Sequence, residues 1–354
     1  MRIGLVIYGS PDTVSGGYLY DRKLTSYLRS QGDEVLLVSL RPGAYVSHLV
    51  DNLSFRLPPG LDILIEDELV HPSVLAANQA RVRNPRPAYP VVSLIHNLHS
   101  SERRANWLNS IFRYLEKMHL DSVDGFIFNS SASADSVKGL VGDTKPAVIA
   151  PPGADRLGTL PVDEVRRRAG RLGPLRLLFV AAVTPLKGLD VLLSALEHLP
   201  EESCTLDVVG SLQVDRAYSH RMQARAARLP VPVRFHGILD GEPLRARFRS
   251  ADVLVVPSYW EGFGIVYVEG MAFGLPAIGT TAGAIPQLIS NGENGYMIEP
   301  GDAVSLREII MRIAADRLFL TSISENSLRL FALLPTWDQS GEVARRFLLQ
   351  MIER

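Results

Sequence analysis

Short apolar runs alternate with amphipathic stretches along nearly the whole chain, and this alternation constrains the fold more than any other feature. A continuous apolar run of roughly five to eight residues suits a strand buried on both faces, and an amphipathic stretch between two runs supplies the helix that joins parallel strands. One set of runs comprises "RIGLVIYG" (2–9), "EVLLVSL" (34–40), "LDILIED" (61–67), "YPVVSLIH" (89–96), "GFIFNSS" (125–131) and "AVIAPPG" (147–153). Between the first two, "GGYLYDRKLTSYLRSQG" (16–32) has apolar residues three and four apart and stops at Gly32, as a helix does. The polar, Arg-rich "DEVRRRAGRLGP" (163–174) then breaks the pattern. It restarts with "LRLLFVAAV" (175–183), "CTLDVVG" (204–210), "VRFHGIL" (233–239), "ADVLVVPS" (251–258) and "LPAIGT" (275–280), with helical spans at 186–199, 216–228, 242–250 and 302–315. The economical reading is two α/β units in series: an N-terminal domain over 1–160, a linker over 161–174, a second domain over 175–335 and a final helix within 336–354. A length of 354 residues accommodates two such cores.

Composition narrows the function classes. With 46% apolar residues and a formal net charge of −1, the chain has no polycationic signature for nucleic acid. Its single cysteine, Cys204, excludes an internal disulfide and a clustered-cysteine zinc site, and reads as a core thiol in a strand. The opening "MRIGLVIYGS" lacks a long apolar stretch and a cleavage site, and no run reaches membrane-spanning length. A cytoplasmic enzyme is the expectation, with a peripheral membrane contact left open.

The segment "WEGFGIVYVEGMAFGLP" (260–276) carries a conflict between propensity and punctuation. Val, Tyr and Ile favour a strand, yet the segment ends in Gly274-Leu275-Pro276, the way a helix stops. Because "ADVLVVPS" is a buried strand, Glu261 falls in the loop at its carboxyl end, where parallel sheets place ligands. A helix that starts near Gly264 offers the N–H groups of Gly264, Ile265 and Val266 and the positive end of its dipole to an anion, most naturally a phosphate. Glu269 lies about one turn further in. Three explanations of Glu261 and Glu269 stand side by side: chance spacing, a glycosidase pair without an obvious raised pKa, and recognition of vicinal hydroxyls by ionised carboxylates. Anion site and diol readers together describe a nucleotide sugar. Lys187 and Gly188, at the strand–helix junction of "FVAAVTPLKGLDVLLSAL" (179–196), bring a cation to the same end of the sheet, although a lone lysine in a first turn is commonly only solvated.

At this point the sequence resembles the family 4 retaining glycosyltransferases of the GT-B fold, two facing Rossmann-like domains with parallel sheets and an interdomain cleft. The resemblance rests on "SGG" (15–17), "VTPLKGLDVLL" (183–193), the long block from Val233 to Asp302 with its Glu, seven residues, Glu motif, and a C-terminal helix introduced by Trp337. It implies that Glu261 contacts the donor sugar, that the backbone of Phe263, Gly264, Ile265 and Val266 holds sugar and diphosphate, and that Glu269 reads the ribose. It further implies that Lys187 neutralises the leaving diphosphate, that Gly16 and Gly17 approach it from the first domain, and that the backbone near Ile238 meets the nucleobase. His96, at the end of "YPVVSLIH", matches the histidine this family places near the transferred sugar, where a structural role is the ordinary alternative. His99, Glu102 and Arg103 follow on the acceptor side, and the final helix is expected to pack back on the N-terminal domain.

The expected activity is transfer of a hexosyl unit from a UDP- or GDP-sugar to an acceptor hydroxyl of a sugar or lipid-linked acceptor, with retention, no cofactor and no metal ion. One departure stands out: where the family commonly has Gly-Arg, this chain has Ala181-Ala182, and neither alanine replaces a guanidinium on phosphate. The rivals are a sugar phosphorylase, a nucleotide-sugar epimerase, and a nucleotide-sugar binding protein that has lost catalysis. A nicotinamide dehydrogenase is disfavoured because "GSPDTVSGG" lacks the G-x-G-x-x-G spacing. Acceptor choice is expected from first-domain loops such as "AANQARVRNPRPAYP" (76–90).

Overall fold

A computed structural model describes residues 1–83, 88–101, 106–143 and 145–354. The chain divides into two compact units, one of residues 1–153 with 335–354, the other of residues 154–334.

In the first unit, strands β1 (Arg2–Tyr8), β2 (Glu34–Leu40), β3 (Ile63–Asp67), β4 (Val91–Ile95), β5 (Gly125–Phe128) and β6 (Ala147–Ile149) form a parallel sheet in the order β2-β1-β3-β4-β5-β6. The helices between them are α1 (Gly16–Ser30), α2 (Tyr45–Asp51), α3 (His71–Arg83), α4 (Asn106–Ser122) and α5 (Ser131–Val141). Every residue of β3 and β4 is buried, including Glu66 and Asp67 at the end of β3 and Ser93 in β4. The first half of the basic segment 76–90 belongs to α3, which runs to Arg83, so the expectation of a loop there is corrected. Residues 84–87 of that segment, and Glu102 and Arg103, lie outside the described residues.

The second unit contains α6 (Val162–Ala169), β7 (Leu175–Val180), α7 (Leu189–Leu196), β8 (Cys204–Val209), α8 (Arg216–Ala226), β9 (Val233–Phe235), α9 (Gly241–Ser250), β10 (Val253–Val255), α10 (Ile265–Ala272), β11 (Ala277–Thr280), β12 (Gly295–Ile298), α11 (Ala303–Ala315) and α12 (Arg317–Phe331). Its strands are parallel in the order β12-β11-β10-β7-β8-β9. The expected linker is instead structured: α6 buries Val165 and Ala169 in this unit's core, and the buried Arg168 guanidinium donates to the carbonyls of Phe273 and Gly274, the latter at 2.7 Å. The arginines that made the segment look like a linker include one that caps the carboxyl end of α10. β12 and α12 had no counterpart among the expected elements, since "GYMI" is short and framed by the turn-like "NGEN" and "EPGD".

Helix α13 (Trp337–Ile352) follows the second unit in sequence but belongs to the first, where it packs on α1 and β6. It begins with a reciprocal capping box between Thr336 and Gln339, and Arg345 donates to Asp33 at 2.7 Å. Gly341 lies in mid-helix, where glycine costs about 1 kcal/mol relative to alanine. Packing explains it, because a Cβ there would stand 2.4 Å from Cγ of Tyr27 on α1. Gly341→Val is therefore expected to lower stability by about 1–3 kcal/mol through overpacking; a fall in the urea midpoint of the first unit's transition checks it.

Candidate functional site

Parallel α/β sheets bind ligands beyond the carboxyl ends of their strands, where the strand order reverses. In the second unit that point lies between β7 and β10, neighbours that are not consecutive in sequence. The loop after β7 carries Lys187 and the loop after β10 carries Glu261. The two meet: Lys187 Nζ lies 2.7 Å from Glu261 Oε1, which also accepts from Ser258 Oγ at 2.8 Å. Glycines allow the loops to come so close. A Cβ at Gly188 would stand 2.0 Å from the Pro257 carbonyl oxygen, and one at Gly283 2.0 Å from that of Glu261. Both glycines have positive φ, so side chains are excluded there on conformational grounds too.

Helix α10 starts as its sequence requires. Gly264 is the N-cap at φ +89°, and no side chain caps the helix, so the first-turn amides of Ile265 and Val266 are not consumed by a cap. The strand-forming residues of this segment face inward: Tyr267 and Val268 are wholly buried, and the Tyr267 hydroxyl donates to the Val256 carbonyl at 2.5 Å. Glu269, also buried, pairs through Oε1 with Arg156 Nε at 2.6 Å. Arg156 also reaches Asp240 Oδ1 at 2.5 Å through Nη1. Burial pushes the Glu269 carboxyl above its ordinary value, and the Arg156 guanidinium opposes that push. Ile238, in the loop after β9 and two residues before Asp240, is half exposed.

In the first unit the order reverses between β1 and β3. Asp67 and Glu68 stand at the end of β3, His96 follows β4, and Asp21 lies one turn into α1. His96 Nε2 is 3.3 Å from Asp21 Oδ1 and 3.5 Å from Asp67 Oδ2. The Glu68 carboxylate accepts from the His96 amide at 2.9 Å and from the Asn97 amide at 3.2 Å. Burial alone would depress the imidazole, but Glu68, Asp21 and Asp67 outweigh it and lift His96 to about 10. Desolvation, aided by mutual repulsion, raises Asp67 well above the carboxylate range and Glu68 to about 7. Gly17 opens the space beside this histidine, since a Cβ there would lie 3.3 Å from His96 Cδ2. Gly16 is the first residue of α1, behind the N-cap Ser15.

The model of the glycosyl transferases group 1 family matches residues 162–329, nearly all of the second unit. Among curated relatives, the D-inositol 3-phosphate glycosyltransferase of Arthrobacter sp. is 27% identical over 87% of this chain and 83% of its own length. That of Xylanimonas cellulosilytica is 32% identical over 64% of this chain, which spans 57% of that relative. The chain spans about half the length of two Streptomyces relatives. Among solved structures, sucrose-phosphate synthase from Thermosynechococcus elongatus superposes with a TM-score of 0.81 at 21% identity, over 99% of both chains. The glycosyltransferase WaaG gives 0.68 at 19% identity, over 98% of this chain and 99% of its own.

The second unit is a group 1 glycosyltransferase domain, and the chain as a whole is similar to family 4 glycosyltransferases. Its two six-stranded parallel sheets are those of the GT-B fold.

Within this glycosyltransferase the sequence-derived residues form one set per unit. Lys187, Glu261, Phe263, Gly264, Ile265, Val266 and Glu269 gather at the carboxyl ends of β7 and β10, while Gly16, Gly17 and His96 gather at those of β1 and β4. His99 lies in an aromatic cluster, stacked on Tyr45 at 5.6 Å and edge-on to Phe112 at 5.1 Å. Sequence reasoning missed Arg156, Asp240, Asp21, Asp67 and Glu68. Asp67 and Glu68 had a readable signal, carboxylates at the end of an apolar run; Arg156 had none. Asp21, Asp67 and His96 bring donor atoms within 4.8 Å of one another although the residues are far apart in sequence, which no local metal motif reveals.

The sign of the His96 shift makes a test. A raised folded-state value contributes stability below the unfolded value of about 6.5, and this is lost as pH rises towards the folded value. The imidazole resonance of His96 is expected to stay in its protonated position from pH ~6 to ~8, whereas in Asp21→Asn it titrates at lower pH, as NMR would record.

Proposed function

We propose that this glycosyltransferase moves a hexosyl unit from a nucleoside diphosphate sugar to an acceptor hydroxyl with retention at the anomeric carbon. The observation that carries the reading is α10, a glycine-capped helix end with free first-turn amides, Glu261 just before it, Glu269 inside it and Lys187 beside it. The amides and Lys187 suit the diphosphate, Glu261 the sugar hydroxyls and Glu269 the ribose diol. Lys187 is held by Glu261, so the cation suited to the diphosphate and the carboxylate suited to the sugar stand side by side. As charge grows on the departing phosphate oxygen, Lys187 and the oriented amides stabilise it. That oxygen then assists removal of the acceptor proton on the same face of the sugar, which gives retention without a covalent intermediate. Charge neutralisation by protein groups supports a metal-independent reaction.

HepE of Anabaena, similar in fold with a TM-score of 0.72 at 18% identity, has been solved with UDP-glucose, which makes UDP-hexoses the first donors to try. His96, kept charged, offers the first unit's contact to the transferred sugar. The acceptor side is assigned to that unit, and relatives named for D-inositol 3-phosphate make a polyol or sugar hydroxyl the natural class. A lipid-linked acceptor, with the protein resting on a membrane surface in the cytoplasm, is supported by α4. This helix exposes Trp107, Ile111 and Tyr114 at helical spacing beside Arg113 and Lys117. No helix among the described residues is long and apolar enough to cross a membrane.

Calorimetry with UDP, GDP, ADP and their hexose conjugates, followed by product analysis over an acceptor panel, tests the assignment. Binding with transfer is the expected result. Dependence on free phosphate would mean a phosphorylase, acceptor-independent isomerisation an epimerase, and binding without turnover a dismantled enzyme in which Ala182 marks the loss. Lys187→Ala is expected to lower kcat by about 100-fold while nucleotide binding persists. Unchanged turnover would remove the leaving-group role.

A further inference from the structure

Arg156 belongs to no motif, yet it is the cation on the more deeply buried member of the glutamate pair. It lies on an irregular stretch, residues 154–160, that runs beside α10 and is fastened to that helix at two places. The Leu160 amide and the Thr159 hydroxyl both donate to the Ala272 carbonyl, at 3.1 and 2.7 Å, which ties the stretch to the last residue of α10. One turn back, Arg156 Nε takes Glu269 Oε1. Its Nη1 takes Asp240 Oδ1, the same oxygen that accepts from the Gly241 amide at 2.8 Å and caps α9. One guanidinium thus joins the donor helix to the loop that carries Ile238. Among the described residues no hydrogen bond engages Glu269 Oε2.

We propose that Arg156 is a positioning residue for the donor site, holding the Glu269 carboxylate ionised and fixed through Oε1 so that Oε2 serves as the acceptor for the ribose hydroxyls. The proposal rests on the ribose-reading role given to Glu269 above. A neutral carboxyl carries its own O–H and has fewer lone pairs to offer a diol, so a diol reader inside a protein has to be kept charged. Burial works against that charge, and the groups bearing on it are the favourable Arg156 and the unfavourable Asp240. Asp240 is far more exposed than Glu269, so its opposition is screened by water, whereas Arg156 acts at 2.6 Å on a carboxylate that is 5% exposed.

The test is the pH profile of nucleotide binding, a readout that a merely structural arginine does not move. With whichever of UDP, GDP and ADP the wild type binds, its affinity is expected to be flat between pH ~6 and ~9. Arg156→Gln keeps a hydrogen-bond donor and drops the charge. Its binding is expected to be about tenfold weaker near pH 6, the factor that one unit of carboxyl pKa produces, and to recover as pH rises. Loss of equal size at every pH, or no loss, overturns the proposal. Asp240→Asn removes the opposing charge and leaves Arg156 in place, so the acid limb of its binding profile, below pH ~6, is expected to move to lower pH. If Arg156→Gln does not fold, an unmoved acid limb in Asp240→Asn overturns the proposal by itself. Glu269→Gln separates the two layers of inference. If it binds nucleotide as the wild type does, the ribose-reading role falls and Arg156's role with it. If it weakens binding while Arg156→Gln does not, only the present proposal falls.

Discussion

A carboxylate taken out of water has to find a cation, a set of N–H groups or a proton, and the arrangement of both units follows from how that requirement is met. In the second unit the answer is cations: Lys187 for Glu261 and Arg156 for Glu269, each supplied by a different stretch of chain. In the first unit three carboxylates surround one histidine, and backbone amides on Glu68 and Asp67 relieve part of their charge. These pairings hold together loops that the sheets alone would leave apart. They also set the charge that a ligand meets on arrival.

The sheets decide where such pairings can be built. Strand order reverses between β1 and β3 in one unit and between β7 and β10 in the other, and the loops leaving those strands diverge to opposite faces. Close approach of those loops depends on positions without a side chain. Gly188 against Pro257 and Gly283 against Glu261 bring backbone to backbone, so the geometry of the site is fixed by main chain and is insensitive to side-chain rotamers. The wholly buried Tyr267 and Val268 anchor α10 to the sheet below, which explains why a helix here carries residues that favour strands. Propensity yields to packing.

Most of the fold could be read from the chain because parallel strands advertise themselves. β1, β2, β7 and β8 coincide within a few residues with the apolar runs of the sequence. Some ends were read too long, as with β9 and β10, because residues beyond the strand, such as Ile238 and Val256, are still apolar although the chain is leaving the sheet. The helix expected at 186–199 proved to be a tight turn and then α7, since Gly188 adopts a left-handed conformation that periodicity does not reveal. α6 was hidden by its arginines, two of which, Arg166 and Arg168, have partners about a hundred residues away or more. The site was legible where chemistry is local, in Lys187 and in the stretch from Glu261 to Glu269. It was illegible where chemistry is assembled by the fold. Asp21 meets His96 across 75 residues and Arg156 meets Glu269 across 113, distances over which spacing carries no information.

The placement of α13 has a consequence for how the molecule comes into being. The second unit is one uninterrupted stretch, residues 154–334, whereas the first is closed by a helix that follows that stretch in sequence. On a ribosome, chain emerges from the amino end, and domains fold as units once their residues are out. The first unit therefore starts earliest and finishes last, with the α1 surface around Tyr27 waiting bare while the whole of its neighbour is made. A nascent chain of this design carries an open seam throughout most of its synthesis, and the seam closes only when Gly341 arrives.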